Sequence, residues 1–536
     1  MKSRFTLIIL AFICGLLQAH AQADSSAIAR IIAAGTTDNH TMEHLDILCN
    51  RIGGRLIGSS AYDIAAEWAA EEMRGWGIEV VMDSVGALPV GFNRGPWFGR
   101  MLSEDGMILH FATPAYTSGT KGVQSGHVLI EPKTQAEFDR MKGRLKGAWV
   151  LVGGESKGWP IDFSEKGDHR RDSVKLVNLE IEKKNNEIRR EFWRTRTVDL
   201  RKELLPFSDE PAIFYKEMVE AGILGIIQSA PVPIAALYDR NNVMQMHWDS
   251  LPSVPDIKLD ENQYKIIEQM AKERRDFELE FDIRNHFRPG PVPYCNVTGI
   301  IPGTEFPDEY VILSAHLDAY DVATGGVDDG SGVSPVMEAA RLIMLSGARP
   351  KRTILITLWA GEEFGLLGSQ SWVDRNPDKM AKISNMFNRD GGPLPPTGMS
   401  VSDSMWDDMT EVCKYVNTIN PDIPFTLTRR TPSPKPDKAS GSDSGPFAVA
   451  GVPTMGFTLT DIKGYNFDYM EIWHTERDLY TRSIPEYQEH AAVVTAVAAL
   501  GVACLDHPLS REGYYTTPPV EQEKPAGKSP KKGKKN

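Results

Sequence analysis

The chain has 536 residues, of which 41% are hydrophobic and 24% are charged. This length and composition are typical of a globular protein with two or three domains. The formal net charge is −13, and an acidic surface of this kind makes nucleic acids and anionic membranes poor partners.

The first 21 residues have the pattern of a secretory signal peptide. Lys2 and Arg4 precede an apolar segment from Phe5 to Leu17, and Ala19 and Ala21 stand at the A-x-A spacing of a cleavage site. The apolar segment is too short to cross a bilayer, so we expect no integral membrane segment after cleavage. Cleavage removes two positive charges, which takes the net charge to −15. We expect a secreted, periplasmic or otherwise extracellular protein.

The cysteines of the mature chain are widely spaced and include no C-x-x-C pair: Cys49, Cys295, Cys413 and Cys504. This spacing excludes a cysteine zinc site and a disulfide-dense scaffold, and it leaves one or two disulfides open. Past Leu509 the sequence turns to "TTPPVEQEKPAGKSPKKGKKN". Its many lysines and few apolar residues predict a disordered basic tail over residues 511–536.

Between these ends, the pattern predicts one split domain, with a first part over residues 22–119 and a second part over residues 256–510. In the first part, "GGRLIGSSAYDIAAEWAAEEM" contains a glycine turn followed by an amphipathic helix from about Ala61 to Arg74. A strand follows this helix.

The section over residues 120–255 has a different character and is predicted to be a smaller, β-rich insert. It contains short apolar strands in "GHVLI", "GAWVLVGG" and "AGILGIIQSA". The charge-rich stretch "VNLEIEKKNNEIRREFWRTRTVDLRKELL" is predicted to be helical. We interpret it as a solvated outer face that packs its leucines and isoleucines inward, rather than as a partner-binding helix.

From about Asn296 onward, near-continuous apolar strands alternate with helices. The strands are "EYVILSA", "TILITLWAG", "KISNMFN" and "PTMGFTLT", and a long final helix covers "PEYQEHAAVVTAVAALGVACL". This alternation predicts an α/β fold with a mixed, mainly parallel sheet covered by helices on both faces. In such sheets, ligands bind beyond the carboxyl ends of the strands.

Histidines and acids follow each of these four strands, and they are His316, Asp318, Asp328, Glu362, Glu363, Asp390 and His474. Carboxylates crowded at one sheet edge repel one another, and burial would force some of them to take up a proton. A bound cation removes this conflict. Imidazoles combined with carboxylates favour zinc, because an all-oxygen set would instead suggest calcium or magnesium.

The number of candidate ligands exceeds what a single catalytic zinc with an open position uses. Two imidazoles with three of the carboxylates fit two zinc ions that share one carboxylate and a bridging water. Asp318 follows His316 by two positions and is expected to accept the other N–H of that imidazole, which would fix its tautomer.

The doublet in "GEEFG" supplies the remaining chemistry. Adjacent side chains at a strand exit point in different directions, so one glutamate can bind metal while the other takes a proton from the water. A metal ligand next to a general base suits the hydrolysis of an amide bond. The glycines of "GGVDDGSG" and "GEEFGLLG" match no Walker or dinucleotide fingerprint, which excludes nucleotide binding.

These motifs resemble those of the co-catalytic di-zinc aminopeptidases, peptidase family M28, and most closely its secreted branch that contains carboxypeptidase Q. The resemblance rests on "AHLD", "VDDGSG", "WAGEEFGLLGS", "NRDGG" and "HTERDLY", and it covers most of the mature chain. It implies a zinc-exopeptidase, phosphorylase/hydrolase-like fold with the split peptidase domain interrupted by a protease-associated insert.

The resemblance also implies roles for individual residues. Glu362 would be the general base, and Asp328 would bridge the two zincs. His316 and Asp390 would hold one zinc, while Glu363 and His474 would hold the other. The substrate would be a peptide with a free N-terminus, and the sequence leaves monomer and homodimer open.

Two positions depart from the family pattern. Trp473 stands where many members have a tyrosine before the second histidine, and Ser444 in "GSDSGPF" replaces the histidine of an S-D-H motif. An indole N–H donates one hydrogen bond but cannot replace a phenol. We therefore expect both residues at the substrate site, where they affect substrate preference rather than metal binding.

The sequence favours an aminopeptidase and leaves three alternatives. A dipeptidase or carboxypeptidase-type enzyme like carboxypeptidase Q would use the same chemistry on another substrate. A glutaminyl cyclase would share the fold but bind one zinc, and a non-enzymatic binding protein would lack metal ligands, which this sequence retains.

Overall fold

The computed structural model describes residues 25–103, 106–196 and 199–516. The predicted signal peptide, residues 1–21, lies outside the described residues, as does most of the predicted basic tail. Within the described residues, no helix is both long enough and apolar enough to span a membrane.

The strands alternate with the helices along the chain. In order they are β1 Glu79–Asn93, β2 Trp97–Met101, β3 Phe111–Ala112, β4 Gln124–Ile130, β5 Trp149–Glu155, β6 Gly225–Ala230, β7 Asp256–Asp260, β8 Glu278–Ile283, β9 His286–Ile301, β10 Phe306–His316, β11 Arg352–Trp359, β12 Ile383–Asn388, β13 Pro396–Val401, β14 Thr426–Arg429, β15 Ser433–Pro434, β16 Phe457–Leu459 and β17 Tyr515–Thr516.

The α-helices range from single turns to a long helix in the middle of the chain. In order they are α1 over residues 25–37, α2 Thr41–Asp46, α3 Ser60–Gly75, α4 Gln135–Leu145, α5 Glu165–Thr195, α6 Leu200–Glu203, α7 Tyr215–Glu220, α8 Arg240–Met244, α9 Glu261–Lys272, α10 Gly330–Leu345, α11 Leu367–Arg375, α12 Trp406–Cys413, α13 Ser444–Val449, α14 Tyr469–Ile472 and α15 Pro485–Ala503.

The first sheet has five strands in the order β1-β9-β11-β10-β12. Strands β10, β11 and β12 run parallel, whereas β1 pairs with β9 and β9 pairs with β11 in antiparallel fashion. The sheet is therefore mixed, as predicted, with parallel and antiparallel pairings in equal number. The parallel strands end at one edge, so the residues that follow β10, β11 and β12 meet there.

Both faces of this sheet are covered. Val311 and Leu313 of β10 pack in one apolar cluster with α10 and α15, whereas the intervening Ile312 packs in another with Trp372 of α11 and Phe447 of α13. This alternation follows from the two-residue period of a strand. It confirms the mixed α/β fold with helices on both faces.

The second sheet has seven strands in the order β2-β8-β4-β5-β6-β7-β3. It also has a core on each face, because Trp149 and Leu151 of β5 pack in one cluster and Val150 and Val152 in another. The sheet draws on strands from β2 to β8, so it extends beyond the predicted 120–255 section on both sides. Strands just outside both predicted boundaries pair with strands inside the section, so the sheet is wider than the predicted section.

The remaining strands form small separate sheets, one of them β14-β13-β16 and another β15-β17. The expectation that "PTMGFTLT" forms a fourth strand of the main sheet is wrong, because β16 pairs with β13. The first residues of the predicted tail are part of the fold, since β17 pairs with β15 and Tyr514 is buried. No disulfide joins the four cysteines of the described residues.

Candidate metal centre and active site

The loop from β10 to α10 carries the first candidate ligands. His316 is the last residue of β10, and Asp328 stands just before α10, which begins at Gly330. Both side chains are buried, with exposed fractions of 1% and 6%. The His316 imidazole Nε2 lies 3.2 Å from the nearer Asp328 carboxylate oxygen. The loop thus returns the aspartate to the end of the strand from which it left.

This loop is held from two sides. The buried Arg55 guanidinium donates to the carbonyls of Leu317, Thr324 and Gly325 at 2.6, 3.1 and 3.3 Å. The buried Asp478 carboxylate accepts a hydrogen bond from the backbone N–H of Val327 at 2.6 Å, and one from that of Asp328 at 3.3 Å. An arginine therefore satisfies carbonyls of the loop while an aspartate satisfies its amides.

The other candidate ligands meet at the same place. The His474 Nε2 atom lies 3.1 Å from the Glu363 carboxylate and 3.6 Å from the second oxygen of Asp328. His316 Nε2 lies 3.9 Å from Asp390. Asp328 therefore stands between the two histidines, with one oxygen facing each. The structure brings together all five residues that the sequence proposed as metal ligands.

The donor set fits divalent metal ions. Donor atoms of His316, Asp328 and Glu363 lie within 4.8 Å of one another, and so do those of His316, Asp329 and Asp390. Among the described residues, Glu363 Oε1 and Asp329 Oδ1 are buried without a hydrogen-bond partner. Buried carboxylate oxygens normally have a partner, and a metal ion would supply one here.

The electrostatics of the cluster are consistent with this fit. Burial, helped by the charge of the neighbouring Glu363, raises the pKa of Glu362 to about 10. Burial, followed by the charge of Asp328, raises the pKa of Glu363 well above its ordinary value. Burial likewise raises the pKa of Asp390. Without a cation, these shifts favour the protonated forms of the acids, which is the conflict that the sequence predicted.

The turn after β11 presents the two glutamates, and Asp318 holds that turn. The Asp318 carboxylate accepts hydrogen bonds from the backbone N–H groups of Gly361, Glu362 and Glu363, at 2.9, 3.2 and 3.3 Å. The expected bond between Asp318 and the imidazole is made differently. His316 Nδ1 lies 2.9 Å from the Asp318 backbone oxygen and 3.8 Å from its carboxylate. Three amide donors hold the carboxylate, and the carbonyl orients the imidazole.

A cavity of about 950 Å³ opens over these groups. Glu362, Glu363, Asp328, Asp390 and His474 line it. The two residues predicted at the substrate site also line it, namely Trp473, which is 45% exposed, and Ser444 at the start of α13. All the residues predicted for the site therefore border this cavity, except His316 and Asp318, which lie beneath it.

One wall of the cavity comes from the section that carries the second sheet. We call residues 234–240 the wall segment. The backbone N–H of Glu476, near His474, donates to the Ile234 carbonyl, and the backbone N–H of Ile234 donates to the Glu476 carboxylate. At the other end, the Tyr238 hydroxyl donates to the Glu363 carbonyl, and the Arg240 guanidinium donates to the Phe364 carbonyl at 2.8 Å. The wall segment thus contacts the loops of both Glu363 and His474.

Sequence reasoning missed several residues of this site. The Tyr469 side chain helps to lower the pKa of Asp328, and it lines the cavity. The Tyr320 ring lies 4.1 Å from the His474 ring. Asp329 accepts a hydrogen bond from the His316 backbone N–H at 3.2 Å. Of these three residues, only Asp329 could have been found in the sequence, because it is the second aspartate of "VDDGSG". Loop geometry brings the two tyrosines to the site, and the spacing of residues in the sequence does not reveal it.

Comparisons with known proteins agree with this geometry. The family model of peptidase family M28 matches residues 296–498, which include all the predicted site residues. The chain is 24% identical over 494 residues to carboxypeptidase Q of Mus musculus, covering 91% of this chain and 90% of that protein. It is also 24% identical over 491 residues to carboxypeptidase Q of Homo sapiens, with the same two coverages of 91% and 90%.

A solved structure, that of a peptidase M28 precursor from Shewanella amazonensis SB2B, is similar with a TM-score of 0.54 at 19% identity, and it covers 91% of this chain and 99% of that chain. At this identity the likeness shows a shared fold. Together with the matched residues 296–498, it leads to one assignment: the chain contains a peptidase family M28 domain and is related to carboxypeptidase Q.

Proposed function

We propose that this protein is a secreted, zinc-dependent exopeptidase of the aminopeptidase type, which hydrolyses the peptide bond next to a free N-terminus. The observation that carries the proposal is the chain of contacts from His316 through Asp328 to His474 and Glu363, with successive distances of 3.2, 3.6 and 3.1 Å. Glu362 lines the same cavity and belongs to no part of that chain.

In this proposal, His316, Asp328 and Asp390 would hold one zinc, while Asp328, Glu363 and His474 would hold the other. Bound zinc lowers the pKa of water and polarises a carbonyl, which is the chemistry that amide hydrolysis requires. Glu362 takes the proton from the attacking water and passes it to the leaving amine. Asp318 keeps Glu362 in place through the amide bonds of the turn.

The cavity also explains why a free N-terminus is the expected substrate feature. Its lining is rich in carboxylates, which attract an ammonium group. Tyr469 places a phenol at Asp328 even though Trp473 occupies the position before His474. The site therefore has a phenolic donor from a residue four positions upstream of Trp473.

A second candidate is a dipeptidase or carboxypeptidase-type hydrolase. It is favoured by the relatives named carboxypeptidase Q, which align over 91% of this chain. A glutaminyl cyclase or a non-enzymatic binding protein is less well supported, because the proposed ligands of both metals are present. We propose residues 120–255, which supply β4, β5 and β6 of the second sheet, as the protease-associated insert, and residues 22–119 and 256–510 as the peptidase domain.

The test uses the mature chain, residues 22–536, with unblocked and N-acetylated peptides of the same sequence. The proposal expects release of the first amino acid from the unblocked peptide only, loss of this activity with a chelator, and recovery with zinc. Equal turnover of the acetylated peptide would exclude the aminopeptidase. Release of the C-terminal residue from blocked peptides would favour the carboxypeptidase-type alternative.

A further inference from the structure

Among the described residues that line the cavity over the candidate metal centre, Arg240 is the only lysine or arginine. The acidic residues of the same lining are Asp239, Asp328, Glu362, Glu363 and Asp390. We propose that Arg240 binds a carboxylate of the substrate and so forms a carboxylate subsite beside the turn that carries Glu362 and Glu363. The inference rests on the proposed peptidase function and names a substrate feature for it.

The guanidinium of Arg240 is held in place rather than free to move through the cavity. It donates to the Phe364 carbonyl at 2.8 Å. Tyr238, two positions earlier, donates to the Glu363 carbonyl and stacks on the Phe364 ring at 4.3 Å. Asp239 caps the helix that Arg240 begins, by accepting from the Asn242 backbone N–H at 3.1 Å.

Gly365 makes room for this arrangement. A Cβ atom at Gly365 would lie 1.7 Å from a terminal nitrogen of Arg240, and the Gly365 φ of +93° is one that other residues rarely adopt. The guanidinium therefore lies directly over the backbone of the turn that carries Glu362 and Glu363. Its distance from the reacting groups is set by that turn.

The guanidinium is also available for a ligand. Within residues 25–103, 106–196 and 199–516, Arg240 forms no ion pair with an acidic side chain, and its hydrogen bond to Phe364 uses one of its terminal nitrogens. The remaining N–H groups match the two oxygens of a carboxylate in a bidentate pair. The acids of the lining have other roles in the proposal: Asp328, Glu363 and Asp390 bind metal, Glu362 is the general base, and Asp239 caps its helix.

Two substrate groups offer this chemistry. One is the α-carboxylate of a dipeptide, and the other is an acidic side chain on the residue that follows the cleaved bond. The cavity volume of about 950 Å³ is within the range of sites that enclose small ligands, so a short peptide fits with its amine at the acids and its carboxylate at Arg240.

The experiment compares kcat/KM of the zinc-loaded wild type and Arg240→Gln on Ala-Ala, Ala-Ala-amide and Ala-Asp-amide. The subsite predicts that Arg240→Gln lowers kcat/KM by about 10- to 100-fold on the substrate whose carboxylate it binds, the size expected for a charge-assisted pair. Loss on Ala-Ala identifies the α-carboxylate, and loss on Ala-Asp-amide identifies the side chain. Ala-Ala-amide should change by less than about threefold.

Two further variants separate binding from structure. Arg240→Lys keeps the charge and should recover part of the loss. Lys157→Gln removes a charge from a residue that lines the neighbouring cavity and should leave all three substrates unchanged. Equal loss on all three peptides, or no loss on any of them, in Arg240→Gln would overturn the subsite.

The failure of the proposed function would look different. If the zinc-loaded wild type cleaved none of these peptides, the peptidase proposal would fall, and the subsite would be tested by calorimetric binding. Ala-Ala should then bind the wild type more tightly than Ala-Ala-amide, and Arg240→Gln should remove this difference. Equal binding of the two peptides by the wild type would contradict the subsite.

Discussion

The carboxylate of Asp318 accepts a hydrogen bond from the backbone N–H of Glu362 at 3.2 Å. This contact joins the loop after β10 to the turn after β11, and it is one of three that Asp318 makes to that turn. The same residue orients the His316 imidazole through its backbone carbonyl. Asp318 thereby couples the position of the proposed base to that of a proposed metal ligand.

The first prediction concerns Asp318→Asn. An amide presents an NH₂ group where the carboxylate had an acceptor, so at least one backbone N–H of the turn loses its partner. We expect kcat to fall and the zinc dissociation constant to rise, each by about 10- to 100-fold, as is usual when a residue that orients metal ligands is changed. Steady-state kinetics and competition with a chelator measure the two effects.

The matched control is Asp321→Asn, in the same loop. Asp321 forms a buried ion pair with Arg94 at 2.8 Å, and breaking it should lower the thermal stability without changing zinc affinity. If Asp318→Asn behaved in the same way, with normal zinc affinity and kcat, its role would be confined to stability.

The contrast between Asp318 and His316 also indicates how far the sequence could predict this site. The ligands were predictable because each follows a long apolar strand or a characteristic motif, and strand ends meet at one sheet edge. The hydrogen bonds of Asp318 were not predictable, because three backbone amides of a turn compete with the imidazole for its carboxylate. A spacing of two residues contains no information about that competition.

The fold was predictable to a similar degree. The buried strands β10, β11 and β12 were expected from their apolar runs, and the helix Ser60–Gly75 from its alanine face. The sheet to which β16 belongs was not predictable, because a three-residue strand can pair with any exposed sheet edge. The wall segment with Arg240 was also missed, since its approach to Phe364 depends on how the second sheet packs against the first.

The second prediction concerns pH. Burial lowers the pKa of His490 on α15 to about 4, from an ordinary value of 6.5. Between these values the unfolded chain binds a proton that the folded chain does not, so this contribution to stability is present above pH 6.5 and is lost as pH falls towards 4. The loss amounts to about 3 kcal/mol.

His490→Gln removes this titration. The free energy of unfolding of the wild type should therefore fall relative to the variant between pH 6.5 and 4, and the difference should be constant above pH 7. Urea unfolding of both proteins at a series of pH values provides the measurement. A difference that does not change with pH would mean that His490 titrates normally in the folded protein.

The third prediction concerns metal removal. Zinc that binds only the folded chain stabilises it by about 2.7 kcal/mol when its free concentration is 100 times the dissociation constant. We expect chelation to lower the thermal midpoint by at least about 2 °C and zinc, but not magnesium, to restore it. Thermal unfolding followed by fluorescence measures this.

His474→Asn is the matched variant for this experiment. It removes one proposed ligand and leaves His316 in place, so the midpoint should respond less to zinc than in the wild type. A full response in this variant would show that the stabilising zinc does not use His474 as a ligand.

The fourth prediction separates the two glutamates. Glu362→Gln removes the proposed base but none of the proposed ligands, so it should keep its zinc while kcat falls by about 100- to 10,000-fold. Glu363→Gln should lose both zinc and turnover, because Glu363 lies 3.1 Å from His474 in the ligand chain. Turnover retained by Glu362→Gln would mean that the roles of the two residues are misassigned.

The most direct measurement of the central claim is the zinc content of the purified chain, determined by elemental analysis after loading and gel filtration. Two zinc ions per chain are predicted for the wild type and for Glu362→Gln, and fewer than one for a chain with His316→Ala and Asp328→Ala combined. A zinc-free wild type, or an unchanged zinc content in the double variant, would contradict a metal centre built on these residues.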